Sequence, residues 1–187
     1  MDRDAVSAGV SEIGGLFSRA EIRILICYII SAIKKPVPGR MLADTLHYEG
    51  IANYFEVSES IASLCESGQL EVYNKEEDTY VITKSGADIA DTLKSSLSYA
   101  VKDRAYRAAI KMVSRFNNVK NTDIKITHED GNTYITCSTV DNNITYMSIK
   151  VLVTDDEQAM TIRENFIDNP SAVYGELIKL LTQNNKK

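Results

Sequence analysis

The chain has 187 residues, enough for one large domain or two small ones with separate cores. Its hydrophobic fraction of 44% and charged fraction of 25% are those of an ordinary globular protein. A net charge of −5 speaks against a generic nucleic-acid binder, and no apolar run reaches the ~20 residues that span a bilayer. Asp2, Arg3 and Asp4 precede a Gly- and Ser-containing stretch, which is not the order of a signal peptide, so a cytoplasmic location is expected. Cys27, Cys65 and Cys137 are odd in number, far apart and set among apolar neighbours. Neither a disulfide framework nor a zinc site is expected from them.

Residues 1–17 carry Gly9, Gly14 and Gly15 and no clear period, and read as a flexible arm. Ser18-Arg19-Ala20-Glu21 is a capping box. Behind it Ile22, Leu25, Ile26, Ile29, Ile30 and Ile33 recur at helical spacing up to Pro36, which stops the helix. Ile24, Cys27 and Tyr28 make the opposite side apolar too. A helix apolar on both sides is buried on both, which predicts cover from beyond its own small domain. A short helix over Arg40–His47 and a longer one over Tyr54–Ser67, ended by Gly68, follow. Leu70 and Val72, then Tyr80 and Ile82, alternate with polar residues as a hairpin tipped by Lys75-Glu76-Glu77-Asp78. Thr83 caps the next helix, Ser95-Ser96 breaks it, and a further helix runs to Phe116 with Asn117-Asn118 at its end.

The remainder changes character. Strands over 123–128, 133–140 and 144–153 are separated by Asp130-Gly131 and Asp141-Asn142-Asn143, both hairpin turn signals. Thr154-Asp155-Asp156-Glu157 is a second capping box, opening a helix through Ala159, Ile162, Phe166 and Ile167. Asn169-Pro170 starts the last helix, with Val173, Tyr174, Leu177, Ile178 and Leu181. The predicted class is α+β. A winged helix-turn-helix occupies 18–96, a connecting helix suited to dimerisation 97–118, and a domain of three antiparallel strands and two helices 119–187.

The local text supports the winged-helix order. Tyr80-Val81-Ile82-Thr83-Lys84-Ser85-Gly86 resembles the segment that closes the wing in many bacterial regulators, and Leu64-Cys65-Glu66-Ser67-Gly68-Gln69-Leu70 resembles the junction before it. Asn53-Tyr54-Phe55, Asn165-Phe166 and Asn169-Pro170 followed by Val173-Tyr174 and Leu177 resemble an uncharacterised family of bacterial winged-helix proteins, a domain of unknown function. That family commonly has Trp where Phe166 stands. The likeness spans nearly all of the chain after residue 17. It implies a transcription-regulator-like protein of undetermined target, and it carries over no catalytic residue.

DNA affinity comes largely from Lys and Arg on phosphates. The expected recognition helix has neither, and its predicted solvent face shows Glu56, Glu59, Ser60, Ser63 and Glu66. Arg104, Arg107, Lys111 and Arg115 instead recur at spacings of three and four along a later helix, opposite an alanine-rich side that suits dimerisation. The candidate DNA contacts are therefore Arg40, Asn53, Glu56, Ser60 and Ser63 around the third helix. Lys75 and Lys84 join them at the wing, and so do the four cations of the later helix.

His47 and His128 lack ligand-spaced neighbours, Asp155-Asp156-Glu157 has the spacing of a helix start, and Gly14-Gly15 is no phosphate loop. No catalytic residue, metal or cofactor is expected. The expected function is a homodimeric regulator binding double-stranded DNA, with the C-terminal domain for assembly or sensing. The alternative is a winged-helix module that docks a protein partner on its acidic third helix and does not bind DNA.

Overall fold

The computed structural model describes residues 18–183, so the arm expected over 1–17 lies outside the described residues. The protein is α+β and divides into two compact units, residues 1–113 and 114–187. The first runs α1 (Arg19–Ile33), β1 (Val37–Pro38), α2 (Gly39–Tyr48), α3 (Tyr54–Glu66), β2 (Leu70–Asn74), β3 (Thr79–Ile82) and α4 (Lys84–Leu93). A 3-10 turn at Lys94–Ser96 then leads into α5 (Tyr99–Lys120), which crosses the unit boundary. The second holds β4 (Thr122–Glu129), β5 (Asn132–Asp141), β6 (Ile144–Val153), α6 (Asp156–Asp168) and α7 (Pro170–Thr182).

The helix order and the hairpin of the first unit are those expected. The Ser18–Glu21 box forms in both directions, with the Glu21 amide on Ser18 Oγ and the Ser18 amide on Glu21 Oε2, each at 3.2 Å. Lys34 ends α1 in the left-handed region at φ 55°. One strand was not foreseen: Val37–Pro38 pairs antiparallel with β3, giving a sheet of order β1-β3-β2. Two residues, one of them proline, carry no periodic signal, so only the pairing reveals the strand.

The two-sided apolar character of α1 has an explanation within its own unit. Ile22, Leu25, Ile26, Cys27, Ile29 and Ile30 are all buried. α1 packs against α3 and β3, and also against α4 and the 3-10 turn, while Tyr28 meets the ring of Tyr106 on α5 at 6.4 Å. The alanine-rich side of α5 is likewise used. Ala105, Ala109, Met112 and Val113 join the same core. Both faces are thus covered within the chain, and α5, which lies outside the expected 18–96 domain, supplies part of the cover.

In the second unit the three strands form an antiparallel meander of order β4-β5-β6. Both turns put two consecutive residues at positive φ, Asp130-Gly131 at 50° and 78° and Asn142-Asn143 at 48° and 64°. That is the two-residue hairpin geometry which Asp, Asn and Gly tolerate best. α6 covers one face of the sheet, where Ile135, Cys137, Met147 and Val153 pack with Ala159 and Phe166. The helix ends differ in detail from expectation. Asp155, not Thr154, caps α6 through a 2.8 Å bond from the Gln158 amide, and Gln158 Oε1 accepts from the Thr154 amide. α5 does not stop at Phe116. The Asn118 amide donates to the carbonyls of Ile167 and Asp168, and so finds partners without ending the helix. Asn169 makes no side-chain cap, and Pro170 alone sets the start of α7.

Candidate nucleic-acid interface

The hairpin tip is tied to the start of α2. Pro38 precedes that helix and has no side chain to cap it. Asp78 does so from the tip: its Oδ2 accepts from the Arg40 amide at 2.9 Å, and its carbonyl accepts from the Gly39 amide at 2.8 Å. Asp78 Oδ1 also accepts from the Tyr80 hydroxyl at 2.8 Å. Burial, helped by the Asp78 carboxylate, pushes the Tyr80 phenol up to about 12. Gly39, Arg40, Tyr54, Ser58, Ile61, Asp78 and Tyr80 line a small recess of about 200 Å³ here. Sequence reading placed Asp78 in the hairpin tip with Lys75, Glu76 and Glu77. The Asp78 charge is spent on a helix N-terminus, which favours an anion.

Arg40, Lys75 and Lys84 are exposed on α2, the hairpin tip and α4, as a phosphate-contacting role requires. Asn53 is committed locally, its Oδ1 accepting the Phe55 amide at 2.9 Å as the cap of α3. The face of α3 needs correction. Its buried stripe is Val57, Ser60, Ile61 and Leu64, spaced i, i+3, i+4 and i+7, so Ser60 points inward at 4% exposure. Glu56 and Ser63 are half-buried flanks. The outer stripe is Phe55, Glu59, Ala62 and Glu66, with Phe55 72% exposed and its ring edge-on to Tyr54. An exposed phenylalanine at a helix start was not singled out from sequence. Glu59 bonds Arg19 of α1 at 2.9 Å, a surface pair that adds little to stability.

The four cations of α5 do not make one continuous strip. Arg115 is held by Glu164 and Asp168 of α6, bonds that raise its own pKa further and hold Glu164 below the usual carboxylate range. Arg107 pairs with Asp103 at 3.1 Å. Arg104 is half-buried, its Nε enclosed without a hydrogen-bond partner among the described residues. Lys111 alone of the four is exposed with no ion pair among the described residues. The Glu164 and Asp168 partners lie 49 and 53 residues from Arg115 in sequence, so helix spacing could not reveal them.

His47 and His128 are exposed, His128 Nδ1 lying 3.1 Å from Thr133 Oγ1. The three cysteines are free thiols, and burial pushes Cys27 up to about 11. Among the described residues no group of three or more His, Cys, Asp or Glu is placed to hold a metal, and no helix is long and apolar enough to cross a membrane.

Comparison with known proteins is sparse. No curated protein and no solved structure matches the chain. One family model matches residues 22–181, and on that match the chain belongs to the family described as Domain of unknown function (DUF4364).

Proposed function

We propose that the first unit is a winged helix and that it works as a protein-docking module, with the outer stripe of α3 as the contact. The element order, with a hairpin whose tip caps the second helix, supports the winged-helix reading. The observation that carries the docking reading is the α3 stripe itself: Phe55, Glu59, Ala62 and Glu66, an aromatic anchor among carboxylates of which only Glu59 meets a cation, Arg19. Such a surface suits a basic segment with an apolar residue for Phe55, and it repels phosphate. The loss of Arg115, and the pairing of Arg107, remove two of the four cations that were to supply DNA affinity.

A second reading, regulation through double-stranded DNA, is favoured by Arg40, Lys75 and Lys84, which are exposed around the α2 start, the tip and the α4 start. Titration with a labelled random duplex at low salt separates the two. The docking reading expects no binding above background, and a gain in non-specific binding for Glu59→Gln with Glu66→Gln. Binding that falls with salt, and whose log–log slope drops by about 2 in the Arg40→Ala, Lys75→Ala double variant, would establish the DNA reading instead.

A further inference from the structure

The two edges of the C-terminal sheet are built differently. β4 ends in solvent behind charge: Asp123 bonds Lys125 at 2.7 Å, and His128 and Glu129 follow on the same strand. Charged side chains on an edge strand are the usual guard against pairing with another strand. β6 is ten residues long and its only charged residue is Lys150. That single charge is drawn inward across the sheet, its ammonium over the Tyr134 ring and bonding Glu129 at 2.8 Å. Among the described residues β6 pairs with β5 alone, so its other edge carries open N–H and C=O groups.

The side chains beside that edge are apolar and uncovered. Ile144 is 67% exposed and Leu152 57%, with Tyr146 and Val151 also in solvent. The β5–β6 register slips by one residue after Met147, which leaves Tyr146 without a ladder partner and sets its ring edge-on to Tyr174 of α7 at 5.7 Å. α7 continues the surface. Only Pro170 of that helix is buried, and Tyr174, Ile178, Leu180 and Leu181 are exposed. Its two charges, Glu176 and Lys179, pair with each other. At ~200 Å² per fully exposed large side chain, these eight residues leave on the order of 800 Å² uncovered. Val151, opposite the buried Ile135, lies on the α6 side of the sheet and Leu152, opposite Tyr134, on the other, so these side chains flank the open edge on both faces.

We propose that the occupant of this surface is a second copy of the chain, docked through β6 and α7. A strand added to the open edge of β6 meets apolar side chains on both faces. The surface is nearly without charge, so a like copy meets no repulsion, whereas a strongly basic or acidic partner finds no complement. An edge strand is also self-complementary: antiparallel pairing of β6 with itself about a twofold axis at Ser148 sets that residue opposite its own copy. This proposal is independent of the function of the first unit.

Sedimentation velocity of the full chain at micromolar concentration tests it. The expected mass is twice the 20.8 kDa of the chain. Leu152→Lys with Leu181→Glu, both at exposed positions, should raise the dissociation constant by about a hundredfold or more with the helical circular dichroism unchanged. Ser148→Cys in a Cys65→Ser background should form an interchain disulfide under mild oxidation that Cys65→Ser alone, with Cys27 and Cys137 buried, does not. A monomer at these concentrations overturns the proposal, whether the patch is then covered by residues 1–17 or left open. A dimer that survives the double variant and gives no Ser148→Cys cross-link overturns it as well.

Discussion

The two units dispose of their apolar side chains in opposite ways. The first closes on itself: α1 is buried on both sides, and Leu42, Leu46, Ile51, Val57 and Leu64 complete the core from α2, α3 and the turn between them. The second has one sheet face under one helix, and leaves β6 and most of α7 outside. Apolar periodicity in sequence looks the same in the two cases. What differs is the number of neighbouring elements available to cover each stripe, and that number is set by topology. A helix between two layers is finished, whereas a C-terminal helix beside an edge strand is not.

The comparison can be broken most forcefully at Leu25, which is wholly buried. Leu25→Ala should cost about 2–5 kcal/mol from lost transfer energy and the cavity left behind. That cost should be the same at every protein concentration, because no second molecule contributes to this core. Leu181→Ala should lower the melting temperature only at concentrations where the chain associates, following mass action. Thermal melts by circular dichroism at two concentrations check both, and a concentration-dependent Leu25→Ala effect would show that the first unit is not closed.

A smaller effect is expected at Gly86. A Cβ there would stand 2.2 Å from the Gln69 carbonyl oxygen and 2.6 Å from Ile82 Cδ1. The start of α4 abuts the chain at the α3–β2 junction, where Thr83 Oγ1 also donates to the Gly68 carbonyl at 2.7 Å. Gly86→Ala should therefore cost about 1–3 kcal/mol by urea unfolding, and a neutral result would mean that the junction yields.

Smaller again is Arg115→Ala in the second unit, expected to cost ~1 kcal/mol because the group is partly solvated. The sign of its pH dependence follows from Glu164. Arg115 holds that carboxyl below its ordinary 4.5, so its contribution is present above that value and is lost as pH falls through the lowered one. Wild type should lose stability in that acid range more steeply than Arg115→Ala, and parallel acid melts would refute the assignment. At the other end, the Tyr80 phenol rises from 10 to about 12 by burial. Its contribution is complete below pH 10 and is lost as pH climbs through 12, so Tyr80→Phe should flatten the alkaline limb of the stability curve.

Much of the fold was legible where a local rule acts alone. The Ser18 box, the Asp130-Gly131 and Asn142-Asn143 turns, and the alternation of Leu70, Val72, Tyr80 and Ile82 each need only neighbours in sequence. The candidate site was harder, because its features depend on distant partners. Ser60 was legible and misread: it sits three after Val57 and four before Leu64, on the buried stripe. The capture of Arg115 by α6 and the capping of α2 by Asp78 join residues too far apart for spacing to show. The outward stance of α7 was equally hidden, since Val173, Tyr174, Leu177, Ile178 and Leu181 have the spacing of any core-facing helix and only Leu177 packs on the core.

The difference between the β4 and β6 edges is tested most directly by hydrogen exchange of their outward-facing amides at two protein concentrations. The account predicts that β6 amides are protected at the concentration where the chain is dimeric and exchange fast on dilution, while β4 edge amides exchange fast at both. Fast exchange along β6 at both concentrations would contradict it.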